Sequence, residues 1–197
     1  MDETLLTFIL AITAYFLGSV SFSYIITRKV AGKDIRNIDI KNAGAYNVAL
    51  NIGKKYGIIV GILDALKTFV IVLVGNLIGL SPINTIIAAS FGIIGHCFPI
   101  FHNFYGGKGA SAAIGIFAYY IPFELLISLI PAVIIALIIH RLGTTPIFII
   151  GLSPIISIIT KRPASIILAF AYVALLTGIL NAIIILTKRE KKVMVER

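Results

Sequence analysis

The residues with the most evident chemistry lie between two apolar segments, in Gly95-His96-Cys97-Phe98-Pro99-Ile100-Phe101, His102-Asn103-Phe104-Tyr105 and Gly106-Gly107-Lys108-Gly109. Three glycines in four residues let the backbone turn tightly and present several N–H groups over a short arc. Lys108 adds a compact positive charge. The small residues from Ala110 to Gly115 then read as the start of a helix. A glycine turn, a lysine and a helix N-terminus together make an anion site, most naturally for phosphate. The spacing is not that of a Walker loop. Taken alone, Gly-Gly-Lys-Gly is equally the composition of a flexible turn. His96, beside Gly95, Pro99 and that turn, is a candidate to position or neutralise a phosphate. His102 lacks such a setting and is expected to be a solvated loop residue. Cys97 reads as a small apolar filler.

These residues have to be positioned by membrane elements. The chain has 197 residues, 59% of them hydrophobic and 13% charged, with a mean hydropathy of +1.05. Soluble domains carry about a quarter charged residues, so a bilayer is the solvent that fits. One membrane domain over residues 1–197 is the natural division. The net charge is +9. In this setting it points to cytoplasmic loops facing anionic lipid headgroups and to an anionic substrate. Aromatic stacking platforms are missing, which argues against nucleic acid as a partner. With Cys97 as the single cysteine, no intrachain disulfide and no cysteine-based metal site can form. Met1-Asp2-Glu3-Thr4 has no positive run and no cleavage pattern, so the first apolar segment is expected to remain a membrane helix.

Seven apolar segments follow from hydropathy: about Leu5–Ile26, Gly57–Leu80, Thr85–Phe101, Ala110–Ile121, Leu125–Ile139, Ile147–Thr160 and Ala164–Leu186. Small residues near the end of the first, Gly18-Ser19 and Ser21, would allow close helix contact. Between the first two segments, Arg28 to Tyr56 is long, basic and rich in Asn and Gly. Its scattered Ile35, Ile38, Ile40, Val48, Leu50 and Ile52 give it something to bury, which suits a re-entrant or interfacial piece. Asp64 and Lys67 fall on one helical face at i, i+3. An ionisable pair in an apolar span reads either as a functional site or as a structural pair with Lys67 snorkelling. Seven spans with the N-terminus outside leave fourteen of the seventeen basic residues inside and only Lys161 and Arg162 outside. The positive-inside rule favours that orientation, which also gathers the Asn/Gly loop, the His96–Lys108 motif and Arg141 on the cytoplasmic face. The fold class expected is therefore an all-α integral membrane protein of about seven transmembrane helices with re-entrant or interfacial cytoplasmic loops.

At these residues the chain resembles the PlsY family of bacterial acyl-phosphate:glycerol-3-phosphate acyltransferases. The likeness runs through Ala14-Tyr15-Phe16-Leu17-Gly18-Ser19, Asp34-Ile35-Arg36-Asn37, Asn42-Ala43-Gly44-Ala45-Tyr46-Asn47-Val48 and Gly53-Lys54-Lys55-Tyr56-Gly57. It continues through Leu63-Asp64-Ala65-Leu66-Lys67, the His96 motif and Gly106–Gly109. The resemblance implies transfer of an acyl chain from acyl phosphate to glycerol 3-phosphate in the cell membrane, giving lysophosphatidic acid without acyl-CoA, cofactor or metal. It implies Lys108, His96 and Asn47 as catalytic residues. Asn42, Gly44, Gly106, Gly107, Gly109, Lys41 and Thr144 would hold substrate and phosphate, with membrane lipids around the bundle. No oligomeric state is signalled.

The chain departs from that family's pattern on the acceptor side. Asp39, Ile40 and Lys41 stand where the family has Gly-Ser-Gly, Tyr46 where it has threonine, Leu50 where it has arginine, and Tyr105 where it commonly has lysine. Its third motif reduces to Gly143-Thr144-Thr145, and its C-terminal motif to Lys188-Arg189-Glu190-Lys191-Lys192. Three readings result. One is the acyltransferase. Another is a relative with a different acceptor, or a non-catalytic lipid-phosphate-binding protein. The third, a small transporter of an anionic metabolite, is compatible with broken spans but lacks a visible inverted repeat.

Overall fold

The computed structural model describes residues 2–195, with side chains through residue 187. The side chains of the Lys188–Lys192 tail therefore lie outside the described residues. The described chain is helical: α1 Glu3–Gly18, α2 Phe22–Ala31, α3 Ala45–Asn51, α4 Lys54–Leu77, α5 Pro82–Cys97, α6 Ala110–Tyr120, α7 Pro122–Ile138, α8 Thr145–Ile159 and α9 Ala164–Val195. Short 3-10 turns at Ile35–Asn37, Ile100–His102 and Leu142–Thr144 link them.

Five stretches are long and apolar enough to cross a bilayer: Glu3–Ala31, Lys54–Leu77, Pro82–His102, Leu142–Ile159 and Ala164–Thr187. Helices α6 and α7 are apolar but shorter, 11 and 17 residues. At 1.5 Å per residue α6 covers only about 17 Å, roughly half of a hydrocarbon core. Isoleucine, leucine and phenylalanine side chains crowd the outer faces, Ile130, Leu168 and Leu77 among them, as expected where lipid is the solvent.

The first apolar segment is not one helix. It breaks at Ser19-Val20-Ser21, where the Ser21 side chain caps α2 by accepting from the Tyr24 N–H at 3.4 Å. Hydropathy alone could not place this break, because both halves are apolar. Helix α1 packs along α5 at very close range. A Cβ on Gly18 would overlap the Gly92 carbonyl oxygen, and one on Gly95 would overlap the Tyr15 carbonyl oxygen. Without a hydrophobic drive between helices in lipid, backbone proximity of this kind is what holds them. The N-terminal ends of the two helices are also tied: Glu3 Oε1 accepts from the Ser81 N–H and from Asn84 Nδ2, both at 2.8 Å. Helix α4 packs on α6, α7 on α8, and α9 on α5 and α8. Phe117 and Phe170 meet edge to face at 4.7 Å in the core.

The basic loop is a folded piece, as its apolar residues require. Ile35, Ala43, Val48 and Val60 form a second small core under it. Arg36 clamps it. Its guanidinium makes forked bonds to Asp34 (2.7–3.1 Å), donates to the His102 carbonyl at 2.9 Å and lies over the Tyr24 ring at 5.1 Å. The bonds from Arg36 hold the Asp34 carboxyl below its ordinary range. His102, expected to be solvated, is partly buried against Tyr24, with ring centroids 4.7 Å apart.

Candidate functional site

The glycine turn after α5 sits on His96. The Gly107 N–H donates to the His96 carbonyl at 3.1 Å, so the chain doubles back on the end of α5. Gly107 lies against the imidazole: a Cβ there would overlap His96 Nε2 and come within 2.7 Å of the Ala43 carbonyl oxygen. Gly106 is equally tight against the carbonyl oxygens of His96 and Cys97. Gly109, at φ +81°, adopts the left-handed conformation and starts α6 with no side-chain cap. The first-turn N–H groups of α6 are thus left without a capping side chain, as an anion site needs. Thr68 donates to the Ala112 carbonyl at 2.6 Å and pins that end of α6 to α4.

Above this turn lies a cavity of about 120 Å³. His96, Lys108, Asn42, Gly44 and Thr144 all line it, five of the ten site residues expected from sequence. Ala110 and Ser111 add the first turn of α6. Lys108 is partly exposed and has no ion-pair partner among the described residues. Asn42 is 6% exposed, and its Oδ1 is buried without a hydrogen-bond partner among the described residues. Gly44 makes room for that amide, since a Cβ would approach Asn42 Nδ2 at 2.8 Å. Thr144 reaches the cavity from the turn before α8 and donates to the Arg141 carbonyl at 2.7 Å. Lys41 is exposed on the adjoining turn at φ +48°.

Asn47 has a different place. It is fully buried, and its Nδ2 faces three carbonyls, Ile35 and Ile38 at 3.1 Å and Asn42 at 2.9 Å, while its Oδ1 accepts from Asn51 at 2.8 Å. It does not line the cavity. Beside the expectation that it touches the reacting groups stands the observation that both ends of its amide are engaged inside the loop, which supports a loop-positioning role. Asn47→Ala is expected to cost about 1–3 kcal/mol, the penalty for buried carbonyls left unpaired. A drop in melting temperature with turnover per folded molecule largely kept would support this. A fully stable but inactive variant would favour the catalytic reading.

Several cavity residues were not singled out from sequence as site residues. Ser111 is the second residue of α6; its signal was its place just past the glycine turn. Ile40 and Tyr46 line the opposite wall, and the Tyr46 ring lies over Gly143, where a Cβ would come within 2.7 Å. The Asp64–Lys67 pair was visible as an i, i+3 spacing, but its partner was not. Lys67 Nζ lies 3.0 Å from Asp64 Oδ1 and 3.1 Å from His96 Nδ1. Lys67 also donates to the carbonyls of Gly18 at 2.8 Å and Val20 at 3.1 Å, which the break between α1 and α2 has freed.

Fold and site together define an all-helical integral membrane protein with a cavity lined by Lys108, His96 and Asn42 where the basic loop between α2 and α4 meets the helix bundle. The family profile described as glycerol-3-phosphate acyltransferase matches residues 8–193, and the chain belongs to that family. The crystal structure of PlsY (YgiH), an integral membrane glycerol 3-phosphate acyltransferase, in its glycerol 3-phosphate form superposes with a TM-score of 0.77 at 29% identity, covering 96% of this chain and 91% of that one. The lysophosphatidic acid form gives a TM-score of 0.76 at 27% identity, covering 93% of each chain. The glycerol-3-phosphate acyltransferase of Mycoplasma capricolum subsp. capricolum is 42% identical over 112 residues, 54% of this chain and 43% of that protein. That of Anaeromyxobacter dehalogenans is 38% identical over 136 residues, 66% of this chain and 67% of that protein. The match thus spans less than half the length of the Mycoplasma relative.

Proposed function

We propose that this protein transfers a fatty acyl group from acyl phosphate to glycerol 3-phosphate, releasing lysophosphatidic acid and inorganic phosphate. The observation that carries the reading is the convergence of Lys108, His96, Asn42 and the first turn of α6 on one cavity. Lys108 and the α6 N–H groups hold the donor phosphate and stabilise the charge that grows on it as it leaves. The Asn42 amide and the Ser111 hydroxyl orient the phosphoryl and acyl oxygens. Lys41 and Thr144 serve the acceptor side. The acceptor hydroxyl oxygen bonds to the acyl carbonyl carbon, the carbon–oxygen bond to phosphate breaks, and the hydroxyl proton leaves on the phosphate. The acyl chain enters from the surrounding lipid. The bias of basic residues supports a cell-membrane location with this site on the cytoplasmic face, the N-terminus outside and the C-terminus inside.

Purified protein in detergent, given palmitoyl phosphate and glycerol 3-phosphate, is expected to form lysophosphatidic acid. Folded protein that forms none would overturn the assignment. Ile40 and Tyr46 on the cavity wall favour a second reading, a changed acceptor or a lipid-phosphate binder without turnover. Binding of acyl phosphate without product would move the assignment there.

A further inference from the structure

We infer that Lys67 and Asp64 set the tautomer of His96, so that Nδ1 carries the lone pair and Nε2 carries the proton, presented to the cavity. His96 then acts as an N–H donor to a substrate oxygen and does not act as a base. This role in transfer rests on the acyltransferase reading; the tautomer itself does not.

The inference follows from the distances around one buried ammonium, whose three N–H groups are shared among four acceptors. Lys67 is 5% exposed, Asp64 1% and His96 7%. The Lys67 ammonium has three N–H groups and no acceptor. Around it stand the carbonyls of Gly18 and Val20, Asp64 Oδ1 and His96 Nδ1, at 2.8, 3.1, 3.0 and 3.1 Å. A nitrogen 3.1 Å from an ammonium is held there only if it offers a lone pair; an Nδ1–H would point one proton at another. The alternative acceptor for such a proton, Asp64 Oδ1, is farther away at 3.4 Å and already takes a bond from Lys67. One carboxylate also serves two possible cations, and the ammonium is the nearer, so a second buried charge on the imidazole would be uncompensated. A neutral ring with Nδ1 as acceptor keeps its proton on Nε2.

The ring's other edge packs on Gly107, where no Cβ stands, and His96 lines the cavity. Nε2 makes no hydrogen bond among the described residues. The α1/α2 break, the α4 ion pair and the end of α5 therefore act together on one ring nitrogen at the cavity. Lys67 and Asp64 are positioning residues for His96.

The test is solid-state NMR of the full chain in lipid bilayers, labelled with ¹⁵N-histidine and ¹⁵Nζ-lysine. An H102Q/H140Q background leaves His96 as the sole imidazole. The expected spectrum has an unprotonated Nδ1, a protonated Nε2 and a close-contact correlation from the Lys67 Nζ protons to Nδ1. A protonated Nδ1, or a doubly protonated ring, would overturn the inference, and loss of the lysine correlation would remove Lys67 from it. These readings need no substrate and stand whether or not acyl transfer is found. In the transfer assay His96→Gln, which keeps an N–H near the Nε2 position, is expected to retain about 10-fold more activity than His96→Ala, the worth of one charge-assisted hydrogen bond. Equal loss in two folded variants would overturn the donor role and leave the tautomer to the NMR result.

Discussion

Lys108→Ala is expected to lower the rate of lysophosphatidic acid formation by about 10²–10³-fold while leaving the protein folded. The size follows from where the charge sits. Lys108 lines the cavity beside the first turn of α6, so on the proposed reading its ammonium and the helix N-terminus face one anion. Both gain strength as phosphate departs, because the already anionic phosphoryl group takes on further negative charge when its bond to the acyl carbon breaks. Interactions that grow in the transition state raise kcat, whereas equal binding of ground and transition states does not. The fold is expected to survive because Lys108 is partly exposed and pairs with no carboxylate among the described residues. Its removal strands no buried group, and surface changes of this kind stay within about 0.5 kcal/mol. Initial rates and melting curves on the same preparations check both halves. Lys108→Arg keeps the charge but not the compact shape and should recover part of the rate. Full activity in a folded Lys108→Ala protein would sink the phosphate-holding role.

Gly107→Ala is the second large effect. One methyl group would overlap His96 Nε2 and press on the Ala43 carbonyl at 2.7 Å. Neither neighbour can yield cheaply. The imidazole is held from behind by Lys67 at 3.1 Å, and Ala43 belongs to the small core beneath the loop. Either the ring leaves the cavity or the Gly106–Gly109 turn lifts off α5, breaking the Gly107 N–H bond to the His96 carbonyl. A misplacement of about 1 Å is worth about 10² in rate, and overpacking costs about 1–3 kcal/mol of stability. The matched control is Gly151→Ala in α8, where a Cβ meets nothing within 4 Å. That change should leave turnover intact and stabilise the helix by about 0.5–1 kcal/mol. Wild-type rates for Gly107→Ala would mean that the ring and the turn do not share a site.

The contrast between these two glycines marks how far a one-dimensional reading reaches. Hydropathy is a local property, so the apolar segments and the basic interfacial loop were legible, as was the glycine turn leading into α6. The loop's apolar residues announced a folded piece, and Ile35 and Val48 are indeed buried. Asp64 and Lys67 were legible as a pair because a helix repeats every 3.6 residues. Span count was less so: α6, at 11 residues, has the composition of a membrane helix without its length.

Tertiary structure decided which polar residues meet. Asn42 and Asn47 are five positions apart with similar sequence surroundings, yet one amide faces the cavity and the other is consumed by three loop carbonyls. Tyr46 and Gly143 are nearly a hundred residues apart and touch only because the α3 loop and the α7–α8 turn close over the same end of the bundle. Lys67 on α4 meets the Gly18 and Val20 carbonyls at the α1–α2 break and the His96 ring at the end of α5, and that meeting decides which nitrogen of His96 is held. Composition and periodicity determined the solvent, the helices and the anion-seeking turn, because each depends on neighbours within a few residues. The chemistry of His96 was left to the fold, because a hydrogen bond is decided by tenths of an ångström between helices whose crossing no local spacing encodes.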